Sequence, residues 1–223
     1  MIDFTAARRM MVDGQVRTSD VTDRRIIAAM LELPRERFVP ATNADLAYLD
    51  RDVPAVPATG GEQVRRLLKP MVLAKLVQAA AVKSGDHVLD VGCASGYSSA
   101  VLARLAHSVV ALEGDSALAR LADENLAAVG ANNATLVIGP LTQGWPAKAP
   151  YDVIFVNGAV EVVPDALRAQ LEDGGRLVAV VGRAPMGRAM LYRAVAGGVS
   201  GWPIFDAAAP LLPGFAAPPA FVF

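Results

Sequence analysis

Val88-Leu89-Asp90-Val91-Gly92-Cys93-Ala94-Ser95-Gly96-Tyr97 is the stretch whose reading decides the fold. A short apolar run meets a turn bounded by two glycines, and the residues beyond it, to about Ala106, have helical texture. Glycine at both ends of the turn lets the backbone bend sharply and lets a ligand approach where a β-carbon would obstruct it. Outward toward the C-terminus the same alternation continues. Val109–Glu113 reads as a second strand, and Ser116–Val129 as a helix with Leu118, Leu121, Ala122, Leu126 and Val129 on one stripe and Gly130 as its stop. Thr135–Ile138, Val153–Val156 and Arg176–Val181 are further apolar strand candidates. Ala166–Leu171 reads as a helix, with Asp173-Gly174-Gly175 the turn before the last of these strands. Met190–Val195 and Ala220–Phe223 are expected as antiparallel edge strands. Continuous apolar strands separated by helices require a mostly parallel sheet covered on both faces, so the fold class is doubly wound, Rossmann-like α/β.

Toward the N-terminus, Pro70 is placed as the first residue of a helix running to about Val82. Residues 5–17 and 22–32 read as short amphipathic helices, the second carrying Ile26, Ile27, Met30 and Leu31 at helical spacing. Leu33-Pro34-Arg35-Glu36-Arg37-Phe38-Val39-Pro40 breaks that pattern, and Pro54 and Pro57 with Gly60-Gly61 make a loop. Residues 1–69 are therefore expected to form a helical cap and substrate-side segment. Residues 70–223 are expected to form the cofactor-binding α/β part of one compact unit.

Composition narrows the function. The 223 residues are 53% hydrophobic, ample for a buried core and incompatible with intrinsic disorder. Lys+Arg 21 against Asp+Glu 22 gives no bulk basic field to attract nucleic acid or an anionic bilayer. A single cysteine, Cys93, excludes an internal disulfide framework and a thiolate zinc site. The only histidines, His87 and His107, flank element ends and read as surface residues. No apolar run approaches the roughly 18 residues needed to span a bilayer. The N-terminus lacks the basic-then-apolar pattern of a secretory signal, so a cytoplasmic protein is expected.

Open α/β sheets bind ligands at the carboxyl ends of their strands, where the Gly92–Gly96 turn lies. Glu113 ends the second strand, where a carboxylate can accept both hydroxyl protons of a ribose. A dinucleotide site would want G-x-G-x-x-G, but Ala94 stands at the middle glycine and none follows at the third. Asp90 precedes the turn, badly placed beside a pyrophosphate but well placed beside a cation. S-adenosylmethionine carries an ammonium and a sulfonium and no phosphate, so these residues favour it over a nicotinamide cofactor. A hydride-transferring oxidoreductase is further disfavoured by the absence of an obvious Tyr-x-x-x-Lys or His/Asp site.

From about Met11 to Gly182 the sequence resembles the protein-L-isoaspartate O-methyltransferases, within the class I S-adenosylmethionine-dependent methyltransferases. The resemblance rests on Met11-Val12-Asp13-Gly14-Gln15, on Pro34 to Pro40 followed by Ala47-Tyr48-Leu49-Asp50, and on Ser84 to Gly92. It continues through Ala94 to Ala103, Tyr151 to Val156 with Pro164, and Leu171 to Val178. It implies esterification of an isoaspartyl carboxylate in damaged protein, or of a related acidic acceptor. It also implies that Asp90, Gly92, Cys93, Ala94, Ser95 and Gly96 frame the methionine part of the cofactor and Glu113 its ribose. Gly139 and Leu141 would contribute backbone near the adenine, and Asn157, with Gly158 and Glu161, would lie where the site closes over substrate. Trp145 reads as core or rim packing.

The chain departs from that family in two places. Where the family has a Thr-Ile-Ser-Gln-Pro segment beside the transferred methyl, this chain has Arg66-Leu67-Leu68-Lys69-Pro70. Where the family has Gly-Asp-Gly near the adenine, this chain has Gly139-Pro140-Leu141. Arg65, Arg66 and Lys69 are donors at the right place in sequence to hold an acceptor carboxylate in place of the lost hydroxyls. They equally suit a solvated charged loop. A relative that binds the cofactor or a partner without isoaspartyl methylation is therefore the alternative reading.

Overall fold

The computed structural model describes residues 2–57 and 64–217. The expected edge strand at Ala220–Phe223, the Gly60-Gly61 loop and the end of the Ala/Pro-rich tail, which runs from Asp206 to Ala220 in the sequence, lie outside the described residues.

The cap begins with α1 (Phe4–Met11), capped by the Asp3 carboxylate, which accepts from the Thr5 and Ala6 amides. A π-helical turn at Val12–Val16 and a 3₁₀ turn continue it to Ser19, where an uninterrupted helix to residue 17 was expected. α2 (Arg24–Glu32) follows, with Ile26, Ile27, Ala29 and Met30 buried. Short strands β1 (Val53–Pro54) and β2 (Arg66–Leu67) pair antiparallel and return the chain to α3 (Pro70–Ala80), with its proline in the first turn. The α/β unit then runs β3 (His87–Val91), α4 (Tyr97–Ala103), β4 (Ser108–Glu113), α5 (Ser116–Ala128) and β5 (Ala134–Ile138). It ends with β6 (Tyr151–Val160), α6 (Asp165–Arg168), β7 (Leu171–Arg183), β8 (Met186–Val195) and β9 (Gly198–Asp206).

These last strands complete a seven-stranded sheet of order β5-β4-β3-β6-β7-β8-β9. It is parallel from β5 to β7 and antiparallel through β8 and β9. The strand order reverses at β3, so the crevice beyond its carboxyl end is the switch point where such sheets hold ligands.

Two strand-level details differ from expectation. The Asp173-Gly174-Gly175 turn lies within β7 as an irregularity: Tyr151 pairs with Leu171 but Val153 pairs with Arg176. Gly174 takes φ +81° there, which glycine accommodates without strain. The edge strand β9 is not among the expected strands, and its Gly198, Gly201 and Pro203 are residue types that strands disfavour. Pro203 is tolerated at an edge, where no ladder donor is required of it.

One apolar core joins cap and sheet. Met11, Val12, Ile26, Met30 and Phe38 pack in the same cluster as Val72, Leu76, Val101 and Val153. Arg35 is wholly buried within this junction. Its guanidinium lies 4.7 Å over the Tyr97 ring, while Nε donates to the Ala47 carbonyl at 2.7 Å and Nη2 to the Leu68 carbonyl at 2.7 Å. The Ser95 hydroxyl reaches the Phe38 carbonyl at 2.5 Å, tying the glycine-bounded turn to the cap. At the opposite end of the sheet Arg176 donates to the Ala80, Ala81 and Asp152 carbonyls and pairs with Asp86 at 2.6 Å.

Candidate functional site

The turn after β3 takes the left-handed conformation repeatedly: φ is +77° at Gly92, +53° at Ala94 and +96° at Gly96. Ala94 adopts this conformation despite its β-carbon, a strained choice that its neighbours must enforce. The enforcing contact is visible, since the Ala94 amide donates to Glu113 Oε2 at 2.8 Å. A β-carbon on Gly96 would lie 3.4 Å from Ala122 in α5, so that glycine also sets how closely turn and helix pack.

Glu113 is 1% exposed at the carboxyl end of β4. Its other oxygen accepts from the Gly114 amide at 2.9 Å and the Asp115 amide at 3.3 Å, and pairs with Arg65 Nη1 at 3.1 Å. Arg65 Nη2 also donates to the Gly92 carbonyl at 2.7 Å, as does Asn157 Nδ2 at 3.0 Å. The turn, Glu113, Asn157 and Arg65 therefore converge on one spot, although Asn157 stands far from the turn in sequence.

Asp90 lies beneath the turn and is fully buried. Oδ2 accepts the Ser98 and Ser99 hydroxyls at 2.6 Å each, whereas Oδ1 has no partner. Burial pushes its carboxyl up to about 6, against the lowering effect of both serines. Protonation is thus favoured in the folded state, and the stability it provides is complete below the unfolded-state value near 4 and lost as pH rises through about 6. Asp90→Asn removes that dependence. The stability difference between variant and wild type should shift in the variant's favour between pH 4 and pH 6, by on the order of 3 kcal/mol. Urea unfolding at pH 4, 5, 6 and 7 reads it.

Cys93 is buried, and burial raises its thiol well above the ordinary range, so it stays protonated and serves as packing. His87 and His107 stand at the amino ends of β3 and β4, away from this crevice. His87 is half-buried, stacked on Tyr151 at 4.8 Å and bonded to the Ser108 hydroxyl at 2.7 Å. Trp145 packs against Gly139, where a β-carbon would meet its ring at 3.1 Å. Glu161 is tied to Arg183 and to the Ala217 amide.

Beside Glu113 opens a cavity of about 580 Å³ lined by Arg65, Glu113, Gly114, Asp115, Leu141 and Gly214 among others. Its size is that of an ordinary small-ligand site. The Gly139 amide donates to the Glu113 carbonyl at 3.1 Å, which sets the floor next to Leu141. The three basic residues singled out in sequence point to different places. Arg65 is held by Glu113 and Gly92, and Arg66 reaches the Asp52 carbonyl at 3.4 Å. The Lys69 amide is held by the Asp52 carboxylate at 2.9 Å. Lys69 also lines a separate groove of about 750 Å³ with Val181, Pro185, Met186, Gly187 and Met190.

The tail contributes what sequence reasoning missed. The segment from Ala207 to Phe215 runs along the carboxyl end of β6 and over the turn after β3. The Ala159 amide donates to Pro210, the Leu212 amide to Ala159, and the Glu161 amide to Phe215. Leu212 is 3% exposed and lies over Gly92 and Gly158. An Ala/Pro-rich composition carries no periodicity, so nothing in the sequence revealed this placement.

A switch point at β3, a glycine-bounded turn and a buried acid closing β4 together define a class I methyltransferase type of α/β protein. The family model of the protein-L-isoaspartate(D-aspartate) O-methyltransferases matches residues 7–199, and the chain belongs to this family. It is 41% identical over 175 residues to the protein-L-isoaspartate O-methyltransferase of Methanoculleus marisnigri, covering 78% of this chain and 77% of that one. It is 42% identical over 183 residues to that of Methanoregula boonei, covering 82% and 80%. A solved protein-L-isoaspartate O-methyltransferase superposes with TM-score 0.80 at 26% identity, over 93% of this chain and 66% of that longer one. A Plasmodium falciparum β-aspartate methyltransferase, solved in complex with S-adenosyl-L-homocysteine, superposes with TM-score 0.76 over 95% of this chain. At 17% identity that likeness shows the fold alone. Among the described residues no helix is long and apolar enough to cross a membrane.

Proposed function

We propose that this chain is an S-adenosylmethionine-dependent carboxyl O-methyltransferase acting on isoaspartyl residues of protein. The observation that carries the reading is Glu113, buried at the carboxyl end of β4 and facing an adenosine-sized cavity beside the Gly92–Gly96 turn. Family membership supports it. The residues fit the cofactor at its adenosine end, where Glu113 would hold the ribose and Gly114, Gly139 and Leu141 would border the base. Asp90, with its unpartnered Oδ1, supplies the negative character beneath the turn that a cationic amino-acid end needs.

The bound cofactor would supply an activated methyl on a sulfonium. The acceptor carboxylate is already ionised at neutral pH, with an ordinary pKa of about 4, so the protein needs no general base. That agrees with a crevice free of histidine and with a Cys93 thiol that stays protonated. What remains for the chain is to align and desolvate the acceptor. Lys69, on the groove at the carboxyl end of β7, suits an acceptor carboxylate, with Met186 and Met190 for apolar neighbours. Lys69→Met is expected to raise KM for an acidic acceptor about five- to thirtyfold with kcat nearly kept, the worth of one partly solvated charged contact. Steady-state kinetics over a range of acceptor concentrations checks this.

Transfer of radiolabelled methyl to an isoaspartyl peptide tests the whole reading. A chain that binds S-adenosylhomocysteine yet labels neither isoaspartyl peptide nor any other acidic acceptor would establish the second reading, a binding module. That reading is favoured by one observation, the presence of Arg65 and Leu212 in the cradle itself.

A further inference from the structure

The cradle over the turn is filled by two side chains of the chain itself. A β-carbon on Gly92 would meet Arg65 Nη2 at 2.9 Å and Leu212 Cδ2 at 3.2 Å. One on Gly158 would meet Leu212 at 2.6 Å. The face that glycine leaves free for a ligand is therefore occupied from within.

Arg65 also matches the chemistry of what it displaces. Its guanidinium places positive charge and N–H donors on the Gly92 carbonyl and on Glu113. The Gly92 carbonyl is the acceptor that the cationic end of an adenosyl amino acid would engage, and the Glu113 contact anchors the guanidinium there. Leu212 supplies the volume of the amino-acid chain. It is held by reciprocal backbone bonds between its own segment and β6: Ala159 to Pro210 at 2.7 Å, and Leu212 to Ala159 at 2.9 Å. What stays open is the 580 Å³ cavity beside Glu113, Gly114 and Leu141, where the cofactor reading above puts the nucleoside.

Resting on the cofactor reading above, we propose that Arg65 and Leu212 decide which adenosyl compounds this chain binds. They keep the amino-acid end of the cradle latched, so that the nucleoside half is recognised first. A compound bearing the amino acid enters only when Leu212 and its segment leave β6 and Arg65 gives up Gly92. A ligand that needs a minor conformer has its affinity reduced by that conformer's population, and a variant that opens the latch restores it.

Titration calorimetry with S-adenosylhomocysteine and 5′-methylthioadenosine, the same nucleoside without the amino acid, separates the possibilities. Wild type should bind the nucleoside at least as tightly as S-adenosylhomocysteine. Leu212→Ala should tighten S-adenosylhomocysteine about tenfold or more while changing methylthioadenosine less than about twofold. Hydrogen exchange on wild type needs no variant. S-adenosylhomocysteine should accelerate exchange at the Ala159 and Leu212 amides, and methylthioadenosine should not. S-adenosylhomocysteine binding wild type more than about tenfold tighter than methylthioadenosine, with both amides as protected as before, would overturn the latch and leave the cofactor assignment standing. Binding of neither compound, in wild type or variant, would take down the cofactor assignment and the latch together.

Discussion

Replacing Glu113 with glutamine is expected to lower the stability of the fold by about 3–5 kcal/mol, the range for breaking a buried ion pair from one side. The side chain is 1% exposed and its two oxygens serve the Ala94, Gly114 and Asp115 amides together with Arg65. A glutamine has one acceptor oxygen, so its amide nitrogen would face a donor whichever way it turned, and the partly buried Arg65 would be left without its carboxylate. Ala94 would lose the bond that holds it at φ +53°. On the proposed reading Glu113 is the charged acceptor for ribose, so affinity for an adenosyl compound should also fall about ten- to hundredfold. Thermal or urea unfolding reads the first effect and calorimetric titration the second. An unfolding midpoint equal to wild type would contradict the network described.

Arg35→Ala should have an effect of comparable size by a different route. It strands the buried carbonyls of Ala47 and Leu68, removes a stacking partner from Tyr97 and leaves a void where cap meets sheet. Unsatisfied buried carbonyls and an uncollapsed cavity together come to about 3–5 kcal/mol. Arg35→Lys should recover little of this. An ammonium has neither the fork that reaches both carbonyls nor the flat face that covers a ring. Because Leu68 precedes Lys69, loosening it should also blur the groove proposed for the acceptor, so on that proposal KM for the acceptor should rise in both variants. Equilibrium unfolding of both variants beside steady-state kinetics checks the pair.

The strand, turn and helix from Val88 to Ala103 were legible because their signals are local: an apolar run, glycines at fixed offsets, a helical face. β4 and α5 fall within a residue of their expected limits for the same reason. The β9 strand was hidden because its glycines and proline are punctuation in one dimension but tolerable on an exposed edge. The candidate site was half legible. Glu113 and the turn announce themselves, whereas the Arg65–Glu113 pair joins positions 48 residues apart through the β1–β2 turn-back. No spacing rule encodes such a pair, and the expectation that Arg65, Arg66 and Lys69 act on one carboxylate assumed that neighbours in sequence point the same way. In the fold they diverge. Leu212 lay beyond any pattern, since its role depends on where the preceding antiparallel strands deliver the tail.

Arg176 joins the end of α3 to the amino ends of β6 and β7, and through Asp86 to the approach of β3, all far from the cavity. Four elements pinned at one pole by a single guanidinium cannot splay there. An opening of the molecule is therefore expected at the other pole, where the tail rests against β6 through a handful of backbone bonds. The protein is built like a book with a glued spine, and its pages can part only along the fore-edge.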